Sequence, residues 1–173
     1  ETHLYTFCTP LRESRYVTSQ GSDQQLIGQT ATSTAALWKF EARTDGTFNI
    51  VSAEGGLFIT PDVNKHTALK TVSAEPASGW SIKPADEVGY VIITSGTAEF
   101  NQTTSPNGYK IFNWGDGTNT TDTGCKFLVK KVSGSELQEL TALLDEVETY
   151  IEQNFSDTEV GFFPASLTAS LQS

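Results

Sequence analysis

The residues best equipped for chemistry fall in one stretch: Asn101, Gln102, Tyr109, Asn113, Trp114, Asp116 and Asn119. An aromatic ring beside amides and a carboxylate suits a sugar. The ring packs on the apolar C–H face of a pyranose, and the polar groups bond adjacent hydroxyls. Trp114, followed by Gly115-Asp116-Gly117, is the expected stacking residue, with Tyr109, Asn113, Asp116 and Asn119 as its partners. The alternative is that Trp114 caps the interior of a small β fold. Asp62 and Asn64 beside His66 form a lesser cluster, and Asp23, Gln24 and Gln25 have no adjacent aromatic.

The equipment for catalysis is missing. There is no Gly-x-Ser-x-Gly elbow, no His-Glu-x-x-His and no phosphate-cradling glycine loop. His3 lies at the N-terminus and His66 in an expected loop, so neither reads as a general base. The run from Asp116 to Asp122 is rich in oxygen ligands but lacks the glycine and terminal glutamate spacing of a calcium loop, and reads as a polar turn. Two cysteines cannot make a structural zinc site alone. Neither enzymatic activity, nor a cofactor, nor a metal is expected. Asn-x-Ser/Thr triplets start at Asn101, Asn119 and Asn154, as readily arises by chance in a Ser/Thr-rich chain.

Twenty-one acidic against 11 basic residues give a formal charge of −10 over 173 residues, which disfavours nucleic acid as a partner. No run approaches the roughly 20 apolar residues of a membrane span. The chain opens at Glu1 without a basic or apolar leader, contains no methionine and ends within a helical pattern. The expectation is an excised or processed piece of a larger protein.

The elements that must position these residues are short strands. Residues 1–132 are rich in Thr, Ser, Gly, Val, Ile and aromatics, in alternating runs separated by turn residues. Three strand ends repeat: Trp38-Lys39-Phe40, Trp80-Ser81-Ile82 and Phe127-Leu128-Val129, spaced 42 (38 to 80) and 47 (80 to 127) residues apart. Tyr16-Val17-Thr18 with Leu26-Ile27, then Phe48 to Ser52 with Leu57-Phe58-Ile59, then Tyr90 to Ser95 with Phe100 precede them in the same order. Units of about four short strands cannot bury a face alone, so three must close around a shared axis. That arrangement is a mainly β fold, a β-trefoil of three pseudo-repeats over 1–132, with Trp38 and Trp80 in the core.

These repeats, ending in Trp-x-(Phe/Ile) and preceded by strands such as Gly55-Gly56-Leu57-Phe58-Ile59, resemble the ricin B-chain-like β-trefoils. The family carries Gln two residues before the Trp, where this chain has Ala36, Ser78 and Cys125. The resemblance implies a non-catalytic carbohydrate-binding accessory module of a larger secreted, cell-surface or periplasmic protein, such as a glycoside hydrolase. Its partners would be a glycan and the neighbouring domains. Loss of the Gln favours the alternative, a structural spacer or protein-interaction module. In such a fold the first and last strands lie side by side, which would make Cys8 and Cys125 neighbours. A bridge there would contribute roughly 4–5 kcal/mol by loop-entropy arguments. Two core thiols are the other outcome.

After Val132 the pattern changes. Ser135-x-x-Gln138 is a capping box, and Leu137, Leu140, Leu144, Val147 and Ile151 make one apolar stripe. A helical segment is expected over 133–173, with one helix over about 135–154 and a truncated second from about Pro164. Leu143-Leu144-Asp145-Glu146 with Val160-Gly161-Phe162-Phe163-Pro164 resembles the start of the FIVAR-like helical repeats found beside sugar-binding modules of bacterial surface proteins.

Overall fold

A computed structural model describes residues 3–61, 64, 66–114 and 121–132. The chain divides into two units after Val132. The helices expected at 135–154 and from 164 lie outside the described residues.

Among the described residues, twelve strands fall into three sets of four. The first set is β1 (Leu4–Cys8), β2 (Tyr16–Thr18), β3 (Ile27–Gln29) and β4 (Trp38–Ala42); the second is β5 (Phe48–Ser52), β6 (Phe58–Thr60), β7 (Lys70–Val72) and β8 (Ser81–Pro84). The third is β9 (Val91–Ser95), β10 (Ala98–Gln102), β11 (Ile111–Asn113) and β12 (Leu128–Val132). The outer strands of each set close a six-membered ring of antiparallel pairings. β1 meets β4 at Tyr5 and Trp38, and β4 runs beside β5. Phe48 pairs with Trp80 at the entry to β8, and β8 runs beside β9. Val91 pairs with Phe127 at the entry to β12, and β12 returns to β1 over five residue pairs. Closure leaves no sheet edge open around this ring.

The inner strands make three hairpins that cap the ring. Their backbones join in a cycle: Leu26 N–H donates to Leu69 O (2.9 Å), Leu69 N–H to Ile111 O (3.1 Å) and Ile111 N–H to Leu26 O (2.9 Å). All three side chains are fully buried. Each repeat thus supplies one donor and one acceptor to a neighbour, and none can satisfy its own backbone alone.

Trp38, Trp80 and Phe127 are all fully buried. Trp38 Nε1 donates to Val17 O (3.0 Å) and Trp80 Nε1 to Ile59 O (2.9 Å), a pair of equivalent bonds, each spanning 21 residues. Phe7 stacks on Trp38, and Phe100 stands edge-on to both Trp80 and Phe127. The interval from Ile111 to Phe127 exceeds those from Leu26 to Trp38 and from Leu69 to Trp80, so the extra length of the third repeat falls after β11. Gly96, at φ +57°, turns the tight hairpin that pairs Ser95 with Ala98, where the strand twist favours left-handed backbone.

The first and last strands do lie side by side, but the disulfide is not formed. Cys8 faces Leu128 in the β1–β12 register, and Cys125 instead accepts a bond at Sγ from Asn101 Nδ2 (3.1 Å). Both thiols are free and buried, and desolvation raises the pKa of each. Neither thiol is expected to react with an aromatic disulfide reagent in the native state at neutral pH, and both should react in denaturant without reductant. Oxidised protein showing no thiol in denaturant would contradict this.

Lys126, buried, pairs with Asp86 at 2.6 Å and joins the second repeat to the third. Its hydrogen bond holds the Asp86 carboxyl below the ordinary range, and Asp86 raises Lys126 in return. The folded carboxyl titrates lower than the unfolded one. Its contribution is therefore present above about pH 4 and is lost as pH falls through the folded value. On the alkaline side, the contribution of Lys126 is lost as pH rises through its raised value. Urea midpoints of the wild type and Asp86→Asn are expected to differ at pH 5 and converge towards pH 2. Parallel curves would remove the pair from the acid response.

Candidate functional site

β11 carries the candidate residues, and strand alternation separates them. Ile111 and Asn113 point inward and are fully buried, while Trp114 is 43% exposed. Asn113, expected as a ligand contact, is buried and uses its polar groups within the fold. Its Nδ2 donates to Asn64 O (2.9 Å), its Oδ1 accepts from Glu99 N (2.8 Å), its N–H donates to Thr67 O (2.8 Å) and its carbonyl accepts from His66 N (2.6 Å). It stitches β11 to β10 and to the loop between β6 and β7.

That stitching positions a second ring. His66, in left-handed backbone at φ +62°, stacks on Trp114 with centroids 4.3 Å apart and planes at 27°. Trp114 N–H also donates to Glu99 O (3.1 Å). The indole is thereby covered on one face and fixed at its base, and its exposed part faces solvent. The sequence placed His66 in a separate cluster, since nothing local links the second repeat to the third.

Tyr109 stands at the opposite end of β11. Its half-buried ring lies under the Arg15 guanidinium, 3.9 Å from centroid to Cζ, and its carbonyl accepts from Gly28 N (2.7 Å). The structure therefore ties it to the first repeat, not to Trp114. Asp116 and Asn119 lie outside the described residues.

Asn101 and Gln102 are buried and bind the repeats together. Asn101 Nδ2 donates to Asp122 (3.2 Å), and Gln102 accepts from the Thr9 hydroxyl (2.8 Å) and donates to Arg12 O (3.0 Å). Asp122 takes the Arg12 guanidinium at 2.6 Å and the Gly124 N–H at 2.7 Å. Arg12 thus clamps the C-terminal end of the segment that begins at Trp114. Burial also removes Asn101 from any glycosylation in the folded state.

The first repeat offers less. Asp23 and Gln24 are exposed, and Gln25 Nε2 donates to Ile111 O (3.2 Å). A cleft lined by Ser19, Gln20, Gly21, Ala35, Glu54 and Leu57 has no aromatic face. Where the ricin-like family has Gln, Ala36 and Cys125 are fully buried and Ser78 is exposed. Among the described residues no three His, Cys, Asp or Glu side chains gather as metal ligands, and no helix is long and apolar enough to cross a membrane.

No protein-family model matches the sequence, and no curated protein matches it. Solved structures do match. A designed three-fold symmetric protein, ThreeFoil, superposes with TM-score 0.64 at 10% identity over 75% of this chain and 99% of that one. A GlcNAcα1-4Gal-releasing endo-β-galactosidase from Clostridium perfringens gives 0.61 at 17% identity over 76% of this chain and 33% of that one. A mosquitocidal holotoxin gives 0.63 at 10% identity over 79% of this chain and 18% of that one. The chain spans a third or less of these two larger proteins. At such identities the likeness concerns the fold, and it agrees with the three-fold closure of the backbone: residues up to Val132 form a β-trefoil.

Proposed function

We propose that this chain is a non-catalytic carbohydrate-binding accessory module of a larger secreted, cell-surface or periplasmic protein. Its site lies at the C-terminal end of β11. The observation that carries this reading is the Trp114 indole, exposed, tied at its backbone to Glu99 and backed by His66. A fixed aromatic face loses little freedom when a pyranose stacks on it, which is how small sites reach useful affinity. The likeness to a trefoil within an endo-β-galactosidase supports a glycosidase as the parent, with the module raising local enzyme concentration on its glycan. The FIVAR-like reading of 133–173 belongs to the same proposal.

A glycan array probed with the wild type and Trp114→Ala, with circular dichroism on both, tests it. Binding lost in a folded variant supports the site. Absence of binding by the wild type would favour a spacer or protein-interaction role, to which the missing family Gln residues already point.

A further inference from the structure

The alternation that buries Ile111 and Asn113 puts Lys110, Phe112 and Trp114 on the other side of the chain. Lys110 and Trp114 are exposed and Phe112 is half-buried. At about 3.3 Å per residue, successive members of this row stand roughly 7 Å apart. Two aromatic rings and one ammonium therefore line up along β11.

The row borders a concavity. A cleft of about 330 Å³ is lined by Pro106, Asn107, Gly108, Lys110 and Phe112. Its wall is held in shape. Gly108, at φ +68°, ends a 3-10 turn over Ser105–Asn107 and donates to Ser105 O (2.9 Å), and Thr103 N–H donates to Lys110 O (2.9 Å). Asn107 is exposed, and Lys110 makes no ion pair among the described residues.

We infer that the site extends from Trp114 along β11 into this cleft, and that it takes an oligosaccharide whose second or third ring is anionic. This deepens the glycan-binding reading and rests on it. Trp114 takes one ring, Phe112 stacks the next, Asn107 bonds its hydroxyls, and Lys110 meets a carboxylate or a sulfate ester. The overall charge does not oppose this. Eight of the 21 acidic residues and none of the 11 basic ones come after Val132, so residues 1–132 hold 13 acidic and 11 basic groups. The trefoil itself is close to neutral, and Lys110, which has no ion pair among the described residues, sets the local sign.

The test uses the full chain and two matched pairs of oligosaccharides: one containing hexuronate against its carboxyl-reduced form, and one sulfated against its desulfated form. Calorimetric titration at low salt is expected to show the charged member of at least one pair binding about three- to five-fold tighter, the range of an exposed ion pair. The responding pair identifies carboxylate or sulfate. The preference should vanish near 1 M salt and in Lys110→Gln, and persist in Lys110→Arg. Phe112→Leu, which keeps an apolar side chain but removes the ring, should weaken charged and neutral ligands alike. Equal affinity within both pairs, or a preference that survives in Lys110→Gln, overturns this inference alone. No binding to any of the four overturns it alone if the array shows another glycan that binds, and together with the glycan-binding reading if the array shows none.

Discussion

Replacing Trp80 with alanine is expected to destabilise the protein by about 3–5 kcal/mol, the usual cost of truncating a fully buried large aromatic. Two losses combine there. The indole vacates the space against Phe100, whose ring centroid lies 4.6 Å away, and Ile59 O loses its Nε1–H partner in the core. Against a typical domain stability of about 5–15 kcal/mol, this would remove a large part of the total. Trp80→Phe separates the two terms. It keeps most of the ring and orphans the carbonyl, and should cost about 1–3 kcal/mol. The third repeat has a phenylalanine, Phe127, at the corresponding strand end. Chemical denaturation of both variants checks the ordering, and equal losses in the two would show that the hydrogen bond, not the packing, holds the barrel closed.

The three-fold closure is also what made the fold legible. Trp38, Trp80 and Phe127 recur because each must fill the same interior position in its own repeat, so their spacing could be read without any pairing information. The longer third interval was visible too, and its cause is the connection after β11. The register between distant strands could not be read. β1 and β12 are neighbours as the trefoil implies, but which residue of β12 faces Cys8 is set by the closure of the whole ring. Leu128 takes that place, and Cys125 turns towards Asn101.

The structure separates the described residues that the sequence grouped around Trp114. Trp114 was singled out as an aromatic beside Gly115-Asp116-Gly117, and between stacking outward and capping the interior its 43% exposure agrees with the former. Asn113 was grouped with it by adjacency, yet adjacent residues on a strand face opposite ways, and alternation with buried Ile111 sends its amide into the core. Tyr109 failed for a different reason: it sits before β11 in left-handed backbone, φ +54°, so its ring follows the turn towards Arg15. The contribution of His66 required the packing of one repeat against the next.

Trp114→Ala is expected to weaken glycan binding by about 2 kcal/mol, roughly thirty-fold, as truncation of a central aromatic anchor does. The same change should leave stability within about 1 kcal/mol of wild type, because the indole is half in solvent and its backbone bond to Glu99 O does not depend on the side chain. His66→Ala separates contact from orientation. It keeps the indole but removes the ring that backs it at 4.3 Å, and should cost about 0.5–1.5 kcal/mol of affinity, with His66→Phe recovering most of it. Tryptophan fluorescence reports the same step without ligand, since Trp38 and Trp80 are buried and only the Trp114 environment should respond to the His66 substitutions. Calorimetry with a glycan taken from the array gives the affinities. If Trp114→Ala binds as tightly as the wild type, the exposed indole is not the anchor, and the trefoil must meet its glycan on another face.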